Sequence, residues 1–295
     1  MSEDDAELVR RYEQEGFVVV EDILNPAEIL AFQNAMRRME DSARAITKSN
    51  HHFDLESDHT PEVPRLRRVK APHKIEPVFN EFMRHPKLLK ALQLLLGSDI
   101  RHQYVKLNSK APGGGSPLEW HQDWAFYPHT NDKVLAVGLM LDDVTPENGP
   151  TLVIPGSHRP RKVFDHRHDG LFMGAMNAEK RELDYSRAVQ LTGRAGSISI
   201  HDAFLVHGAA RNNSESVRRV CFYEFMAANA WPLHAIYPAD LMPSLGELDE
   251  RIVCGSPTMR PLLADVPVDL PLPRPDRPYG SIYEEQRELT NRFFV

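Results

Sequence analysis

The sequence predicts a mainly β fold with flanking α-helices, of the sandwich or double-sheet jelly-roll kind. From Ile100 to about residue 230, short apolar and β-branched runs alternate with turns rich in Gly, Pro and Asn. Before Ile100, apolar side chains mostly recur at helical spacing around one strand. The chain has 295 residues and is 41% hydrophobic, which is enough for one large core.

We therefore expect a single domain over residues 1–295. Its parts are a helical N-terminal part at about 1–98, a jelly-roll core at about 99–230, and a Pro-rich C-terminal wrap with a last helix at about 231–295.

The N-terminal part begins with a predicted helix over 5–15, which Gly16 ends. The β-branched run 17–20 predicts a strand. Asn25 is a good N-cap and Pro26 a good first residue for a second helix over 26–46. Residues 47–68 are polar and predict a loop, and helices follow at 75–84 and 87–96.

The core is predicted to contain strands at 100–108, 134–142, 151–154, 196–200, 204–207 and 218–227. Turn chemistry separates them, for example Glu147-Asn148-Gly149-Pro150 and Asn212-Asn213-Ser214. The Pro-rich residues 255–280 predict a surface wrap, and a last helix is expected near 283–293.

Composition argues against several classes of function. The net charge is −7 with no block of like charges, so no nucleic-acid partner is expected. Two cysteines without a Cys-x-x-Cys pattern indicate neither a disulfide framework nor a redox motif. The N-terminus is acidic, without a signal-peptide pattern, and no apolar run reaches bilayer-spanning length. We expect a cytoplasmic protein without a membrane partner, and the sequence does not indicate an oligomeric state.

The segment Trp120-His121-Gln122-Asp123-Trp124 carries the strongest chemical signal. Side chains alternate along an extended strand, so His121 and Asp123 should point the same way. An imidazole and a carboxylate form two thirds of the facial triad of non-haem iron(II) oxygenases. The run 204–208 offers the third ligand, as an apolar strand ending in His207 before Gly208, which permits a tight turn.

An arginine downstream offers a partner for a carboxylate co-substrate, because a guanidinium is planar, always charged and bidentate. Arg218 follows His207 by eleven residues, and the turn 212–214 lies between them. Strand alternation alone leaves open whether Arg218 or Arg219 points inward.

Together these pieces resemble the phytanoyl-CoA dioxygenase-like family of iron(II)- and 2-oxoglutarate-dependent oxygenases. The resemblance covers roughly residues 10–230. Its matching pieces, in order, are Gly16-Phe17-Val18-Val19-Val20, His121-Gln122-Asp123, Glu147-Asn148-Gly149-Pro150, Ile154-Pro155-Gly156-Ser157-His158, and His207-Gly208 followed by Arg218.

The resemblance implies a double-stranded β-helix, the cupin-like jelly roll, with the N-terminal helices packed outside. It implies His121, Asp123 and His207 as catalytic metal ligands, and Arg218 rather than Arg219 as the co-substrate ligand. Thr151, after the Glu-Asn-Gly turn, is nominated as a second co-substrate contact. Relatives often carry Ser two residues after the distal His, and this chain has Ala209 there.

The implied activity uses iron(II), 2-oxoglutarate and O2 to hydroxylate an unactivated C–H bond of a small organic substrate, releasing succinate and CO2. Ascorbate is expected to help in vitro. The same site could instead catalyse desaturation, epimerisation or cyclisation. The alternative from another class is a cupin-like metal-binding protein without turnover, which has no need of a buried Arg218.

Other polar motifs are predicted to have structural roles. His52-Phe53-Asp54 repeats the His-x-Asp pattern but lies in the predicted polar loop. Residues 165–169 predict a polar loop over the barrel mouth, His129 a loop residue near that mouth, and His201-Asp202 a turn. Core packing is expected for Trp120, and a pocket role for Trp124 is left open. Lys106 and Lys110 are predicted at the surface.

Overall fold

Two antiparallel sheets form the centre of the computed structural model, which describes residues 2–180, 182–233, 245–276 and 282–294. The major sheet has the strand order β1-β11-β6-β13-β4-β3-β2, with β14 also paired to β4, and the minor sheet has the order β10-β7-β12-β5. The strands are β1 Phe17–Val20, β2 Phe53–Leu55, β3 Leu66–Lys70, β4 Ile100–Lys110, β5 Leu118–His121, β6 Val134–Met140, β7 Thr151–Val153, β8 Arg167–His168, β9 Leu171–Phe172, β10 Val189–Leu191, β11 Ile198–Asp202, β12 His207–Ala209, β13 Arg218–Ala227 and β14 Ile252–Cys254.

The first four helices follow the predicted signals closely, and α5 was not predicted. They are α1 Glu3–Glu15, α2 Pro26–Ala43, α3 Pro77–Phe82, α4 Pro86–Leu96, α5 Leu245–Glu250 and α6 Ile282–Glu285. Asn25 caps α2 in a capping box with Glu28, and Pro26 is its first residue. Gly16 ends α1 with a φ of 84°, a left-handed conformation that glycine adopts without strain.

The two faces of the major sheet differ in character. One face packs on the N-terminal helices and forms the largest apolar core, which includes Phe32, Met36, Phe79, Leu88, Val105, Leu107, Cys221 and Tyr223. Alternation turns the intervening residues of β4 and β13, such as Lys106 and Arg218, towards the minor sheet. The space between the sheets therefore contains charged and polar side chains beside apolar ones, and it holds the candidate site.

Several boundaries differ from prediction. The polar residues 47–68 are not only a loop, because β2 and most of β3 lie within them. The predicted strand 204–207 begins only at His207, and residues 203–206 form the connection from β11. The last helix is shorter than predicted, since α6 gives way to a 3-10 turn at Gln286–Glu288.

The C-terminal part lies along the ligand-bearing side of the fold. The backbone N–H of Glu119 in β5 donates to Gln286 Oε1 at 3.0 Å, and the Glu119 carboxylate accepts from the N–H of Phe293 at 2.8 Å. Between 258 and 276 the structure has no helix or strand, as the prolines predict. Among the described residues, no helix is long and apolar enough to cross a membrane. The division into a single domain stays a prediction.

Candidate active site

His121, Asp123 and His207 come together between the two sheets. Each offers one ligand atom, and these atoms lie within 4.8 Å of one another. The two imidazole rings have centroids 4.1 Å apart, and His207 Nε2 is 3.9 Å from Asp123 Oδ1. All three side chains are buried.

Strand pairing explains how residues far apart in the chain meet. β5 and β12 run antiparallel, and His121 lies directly opposite His207. Strand β5 ends at His121, but Gln122 keeps an extended backbone (φ −115°, ψ 134°), so Asp123 still points to the same side. Gly208 lies within β12 and does not make the predicted turn. Glycine is needed at this position because β5 passes close by, and a Cβ on residue 208 would lie 2.9 Å from the Leu118 carbonyl oxygen.

The protonation of these side chains fits a divalent metal. His121 Nδ1 donates to the Glu119 carbonyl at 2.8 Å, and His207 Nδ1 donates to the Leu205 carbonyl at 2.9 Å. A carbonyl only accepts, so the proton sits on Nδ1 and each Nε2 lone pair faces the site. Burial lowers the pKa of His121 to about 4 and that of His207 well below its usual range, so both rings stay neutral.

Asp123 completes the donor set as a carboxylate. Burial would raise its pKa, but the Lys106 ammonium and the hydrogen bond from His201 help to hold the pKa below its usual range. Two neutral imidazoles and one carboxylate are the ligands of the non-haem iron(II) facial triad, so the residues present fit that ion.

Gln122, between the two ligands, anchors the ligand strand. Its side-chain amide donates to the carbonyls of Lys162 at 2.9 Å and Phe204 at 2.7 Å, and its Oε1 accepts from the Phe164 N–H at 2.8 Å. Its backbone N–H donates to His166 Nε2 at 3.0 Å. These bonds attach the ligand strand to two separate loops, which fixes the positions of the flanking ligands.

The site lies in a cavity of about 460 Å³ including its open mouth, lined by both sheets. Arg218 lies at one end, only 2% exposed, and donates to the Gly149 carbonyl through Nε at 3.1 Å and through Nη2. Arg219 points the other way and pairs with Asp142 at 2.7 Å and Glu40 at 3.2 Å. Of the two arginines between which the sequence could not choose, it is therefore Arg218 that faces the cavity.

Thr151 also lines this cavity, on β7, opposite Ala209 of β12. Gly149 has a φ of 76°, and a Cβ there would lie 2.8 Å from the Ala210 carbonyl oxygen. The Glu147–Pro150 turn therefore needs glycine at this position to bring its carbonyl to Arg218.

Sequence reasoning missed several residues of the site. His201 was predicted in a turn, but it lies in β11, is 1% exposed, and its Nε2 is 3.3 Å from Asp123 Oδ2. Lys106 and Lys110 were predicted at the surface, but both line the cavity. Lys106 pairs with the buried Glu224 at 3.1 Å. The signal was available, since both lysines share the strand face that Arg218 occupies on the neighbouring strand.

The remaining polar motifs have structural roles, though not always the predicted ones. His129 is buried, where a mouth loop was predicted, and bonds the Tyr127 carbonyl and Gln103. Trp124 is fully buried, stacks on Phe204 and donates to the Pro267 carbonyl at 2.8 Å, so it has a packing role.

Part of the second His-x-Asp lies in a strand, where a loop was predicted. Its Asp54 is buried in β2 and pairs with Lys70 at 2.8 Å. Residues 165–169 include buried His166 and part of the β8–β9 hairpin.

Comparison with known proteins gives the same family. The family model for phytanoyl-CoA dioxygenase matches residues 12–220. A relative from Stutzerimonas stutzeri, a probable alpha-ketoglutarate-dependent hypophosphite dioxygenase, is 33% identical over 294 residues, covering 98% of this chain and 99% of its own. An ectoine dioxygenase from Bordetella bronchiseptica is 25% identical over 225 residues, covering 71% of each chain.

Among solved structures, EctD from S. alaskensis with bound Fe superposes with a TM-score of 0.65 at 23% identity, covering 88% of this chain and 87% of its own. That likeness confirms the predicted double-stranded β-helix. The family match covers more than half of the chain, and the 33% identical relative aligns over nearly all of it. The chain therefore belongs to the phytanoyl-CoA dioxygenase family of iron(II)- and 2-oxoglutarate-dependent dioxygenases.

Proposed function

We propose that this protein oxidises a small molecule with O2 and 2-oxoglutarate, using an iron(II) ion held by His121, Asp123 and His207. The observation that carries the proposal is the arrangement of the cavity. A buried two-histidine, one-carboxylate set lines it together with Arg218, a buried guanidinium with no carboxylate of its own among the described residues. Bound iron(II) with 2-oxoglutarate supplies the power to oxidise an unactivated bond, with release of succinate and CO2.

Each side chain has a definite task in this proposal. The Nε2 atoms of His121 and His207 and the carboxylate of Asp123 hold the metal. Arg218 binds the C5 carboxylate of 2-oxoglutarate, for which a planar guanidinium is suited. Thr151, on the same cavity wall, is a second contact for the co-substrate.

The surroundings of the ligands keep them in place and limit access of water. His201 donates from Nε2 to Asp123 Oδ2, which orients the carboxylate. The C-terminal segment along β5 places Tyr283 in the cavity wall, where it narrows the space around the co-substrate. Excluding water in this way strengthens the charge interactions inside the cavity.

Hydroxylation of an unactivated C–H bond in a small organic substrate is the outcome we propose first. Desaturation, epimerisation and cyclisation need the same ligands and differ in how the substrate lies. A non-catalytic metal-binding jelly roll is disfavoured, because it has no use for the buried guanidinium of Arg218.

A second candidate substrate is hypophosphite, favoured by the full-length relative with 33% identity. Inserting one oxygen atom into a P–H bond would give phosphite, while 2-oxoglutarate and the second oxygen atom of O2 give succinate and CO2. Lys106, beside Asp123 in the cavity, offers positive charge to such a small anion. The cytoplasmic location, and the lack of nucleic-acid and membrane partners, stay predictions from sequence.

The test is succinate release from 2-oxoglutarate by the purified protein with iron(II) and ascorbate. We expect succinate to form and to increase when the true substrate is added. Hypophosphite is tested directly by following phosphite with phosphorus NMR, and organic substrates by a mass gain of one oxygen from a metabolite extract. No succinate under any of these conditions, in protein that has bound iron, would contradict the proposed activity.

A further inference from the structure

A second and larger cavity lies outside the active-site cavity and meets it at Tyr283. It measures about 1240 Å³ including open solvent, and we call it the arginine groove. Its walls are the turn between β2 and β3, the loop 113–117 between β4 and β5, and the C-terminal segment, and its arginines include Arg65 and Arg67. Among the described residues, Tyr283 alone lines both the groove and the active-site cavity.

The opposite end of the active-site cavity is closed. Beyond the metal ligands, Trp124, Tyr127, Phe204 and Met226 pack into a buried apolar cluster. No residue of this cluster lines the cavity, and neither does any described residue of the long segment 154–188 between β7 and β10. The end at Tyr283, where the cavity meets the groove, is therefore the side from which a solute can reach the metal site.

A β-bulge turns Arg67 towards the groove. The pairing of β2 with β3 shifts by one residue between Asp54 and Leu55, which leaves Arg67 as the extra residue on β3. The Arg67 guanidinium lies over the Tyr283 ring, 5.3 Å from the ring centre, and the residue is only 5% exposed. A buried cation therefore lies against the side chain that separates the two cavities.

The arginines of this hairpin have hydrogen-bond donors that the protein does not use. Arg65, Arg67 and Arg68 each have a buried Nε–H without a hydrogen-bond partner among the described residues. The one carboxylate within ion-pair distance of Arg67, in the part of the chain that the structure describes, is Glu284 at 3.7 Å, which is too far for a hydrogen bond. Buried donors without partners are uncommon, and three of them in one hairpin indicate a ligand that accepts hydrogen bonds.

The carboxylates that line the groove have partners of their own. Glu56 accepts from the Ser116 N–H at 3.2 Å and from its hydroxyl at 3.0 Å. Asp58 pairs with Arg65 at 3.1 Å, and Glu119 accepts from the backbone of the C-terminal segment. These carboxylates do not satisfy Arg67.

Positive charge continues from the groove into the active-site cavity. Burial raises the pKa of Tyr283, while the nearby charges of Arg218, Arg68 and Arg67 lower it. Three guanidiniums are thus close enough to act on one phenol, Arg67 on the groove side and Arg218 in the active-site cavity. Together they attract anions towards the place where the two cavities meet.

We propose that the arginine groove is the entrance to the active site, where Arg67 binds small carboxylate anions before they pass the Tyr283 ring. These anions are 2-oxoglutarate on entry and succinate on exit, so the inference rests on the proposed function. Positive charge along a cleft raises the local concentration of anions and speeds their association. The groove therefore controls how fast the co-substrate arrives, whereas the residues inside the cavity control how tightly it is held.

A purely structural role for Arg67 makes a different prediction. If Arg67 only packs on Tyr283 and holds the hairpin, its loss should lower the free energy of unfolding and leave the salt dependence of co-substrate association unchanged. If Arg67 attracts anions, its loss should slow association, and the effect should be largest at low salt, where charges are least screened.

The experiment measures the rate at which 2-oxoglutarate binds to the iron(II)-loaded protein, by anaerobic stopped-flow absorption at several salt concentrations. Arg67→Met removes the charge and keeps much of the side-chain length, and Arg67→Lys restores the charge. The matched control is Arg37→Met, which removes an exposed arginine of α2 that lines neither cavity and bonds to Asn34 at 2.6 Å.

We expect Arg67→Met to lower the association rate constant about fivefold or more at low salt, with a smaller difference at high salt. Arg67→Lys should recover most of the rate, because attraction over a distance needs the charge and not the planar fork. Arg37→Met should stay within about twofold of the wild type. An Arg67→Met protein that associates as fast as this control at every salt concentration would overturn the proposal.

Tyr283→Ala tests the route itself, and it covers the case in which Arg67→Met does not fold. Removing a barrier on the path should speed association and dissociation together, each about threefold or more, and change the dissociation constant much less. Unchanged rates in this variant would place the entrance elsewhere.

The wild type separates this inference from the proposed function. If 2-oxoglutarate causes no absorption change in the iron(II)-loaded wild type, the proposed function fails. If the wild type responds normally and its rates depend on neither Arg67 nor Tyr283, only the entrance is removed.

Discussion

Replacing Arg218 with alanine should damage co-substrate binding severely, and the structure sets the size of the effect. The guanidinium is 2% exposed and its hydrogen bonds go to the Gly149 carbonyl alone, so the C5 carboxylate of 2-oxoglutarate would be its charged partner. Losing one partner of a buried charge pair costs on the order of 3–5 kcal/mol. At tenfold for each ~1.4 kcal/mol, the Michaelis constant for 2-oxoglutarate should rise by roughly a hundredfold or more.

The assay is succinate formation as a function of 2-oxoglutarate concentration. Arg218→Lys should recover only part of the affinity, because an ammonium lacks the planar fork. Arg219→Ala is the matched control, since Arg219 pairs with Asp142 and Glu40 away from the cavity, and its loss should barely change the Michaelis constant. The reasoning is refuted if Arg219→Ala gives the large effect and Arg218→Ala does not.

Three further predictions follow from the metal ligands and the buried histidines. His121→Ala and His207→Ala should each abolish turnover and leave thermal unfolding cooperative, and tightly bound zinc with turnover unaffected by chelators would contradict the iron assignment. The wild type should hydroxylate its substrate and not halogenate it, because Asp123 occupies the ligand position at the metal that a halide would need. A chlorinated product would disprove this. Burial lowers the pKa of His129 to about 3, so between about pH 6.5 and 3 the unfolded chain is protonated at this residue and the folded protein is not. The free energy of unfolding therefore decreases as the pH is lowered through that window. Lowering the pH from 7 to 5 should reduce the free energy of unfolding by about 2 kcal/mol through His129 alone. Denaturant unfolding of His129→Gln should lack this part of the pH dependence.

Local patterns predicted the helices and the central strands well. These patterns depend only on residues that are close in sequence, so a short segment is enough to predict the element. Examples are the Asn25 cap and the Pro at the start of α2, and the β-branched run of β1. The ligand pair His121 and Asp123 belongs to the same class, because one extended residue between them decides their common direction.

The polar interior explains most of the errors. Strand prediction assumes an apolar face turned to the core, but the major sheet has its apolar face under the helices and its polar face around the site. Lys106 and Lys110 therefore resemble surface residues although they line the cavity. For the same reason the short polar strands β2 and β3 resembled a loop.

Other features depended on contacts between distant segments. His201 reaches Asp123 only because β11, a strand of the major sheet, turns this side chain towards the cavity, and no nearby residue signals this. The place of Tyr283 in the cavity wall depends on how the C-terminal segment packs along β5, a contact across more than half of the chain. Such placements follow from topology, which short sequence patterns do not contain.

The most direct test of the central claim is an anaerobic titration of the iron(II)-loaded protein with 2-oxoglutarate, followed by visible absorption. If His121, Asp123 and His207 hold one iron(II) per chain, 2-oxoglutarate should produce a metal-to-ligand charge-transfer band that saturates at one equivalent. The band should be absent in Asp123→Ala and His207→Ala. A wild-type protein that gives no band, or an Asp123→Ala protein that gives the same band, would contradict the assignment of these residues as the metal site.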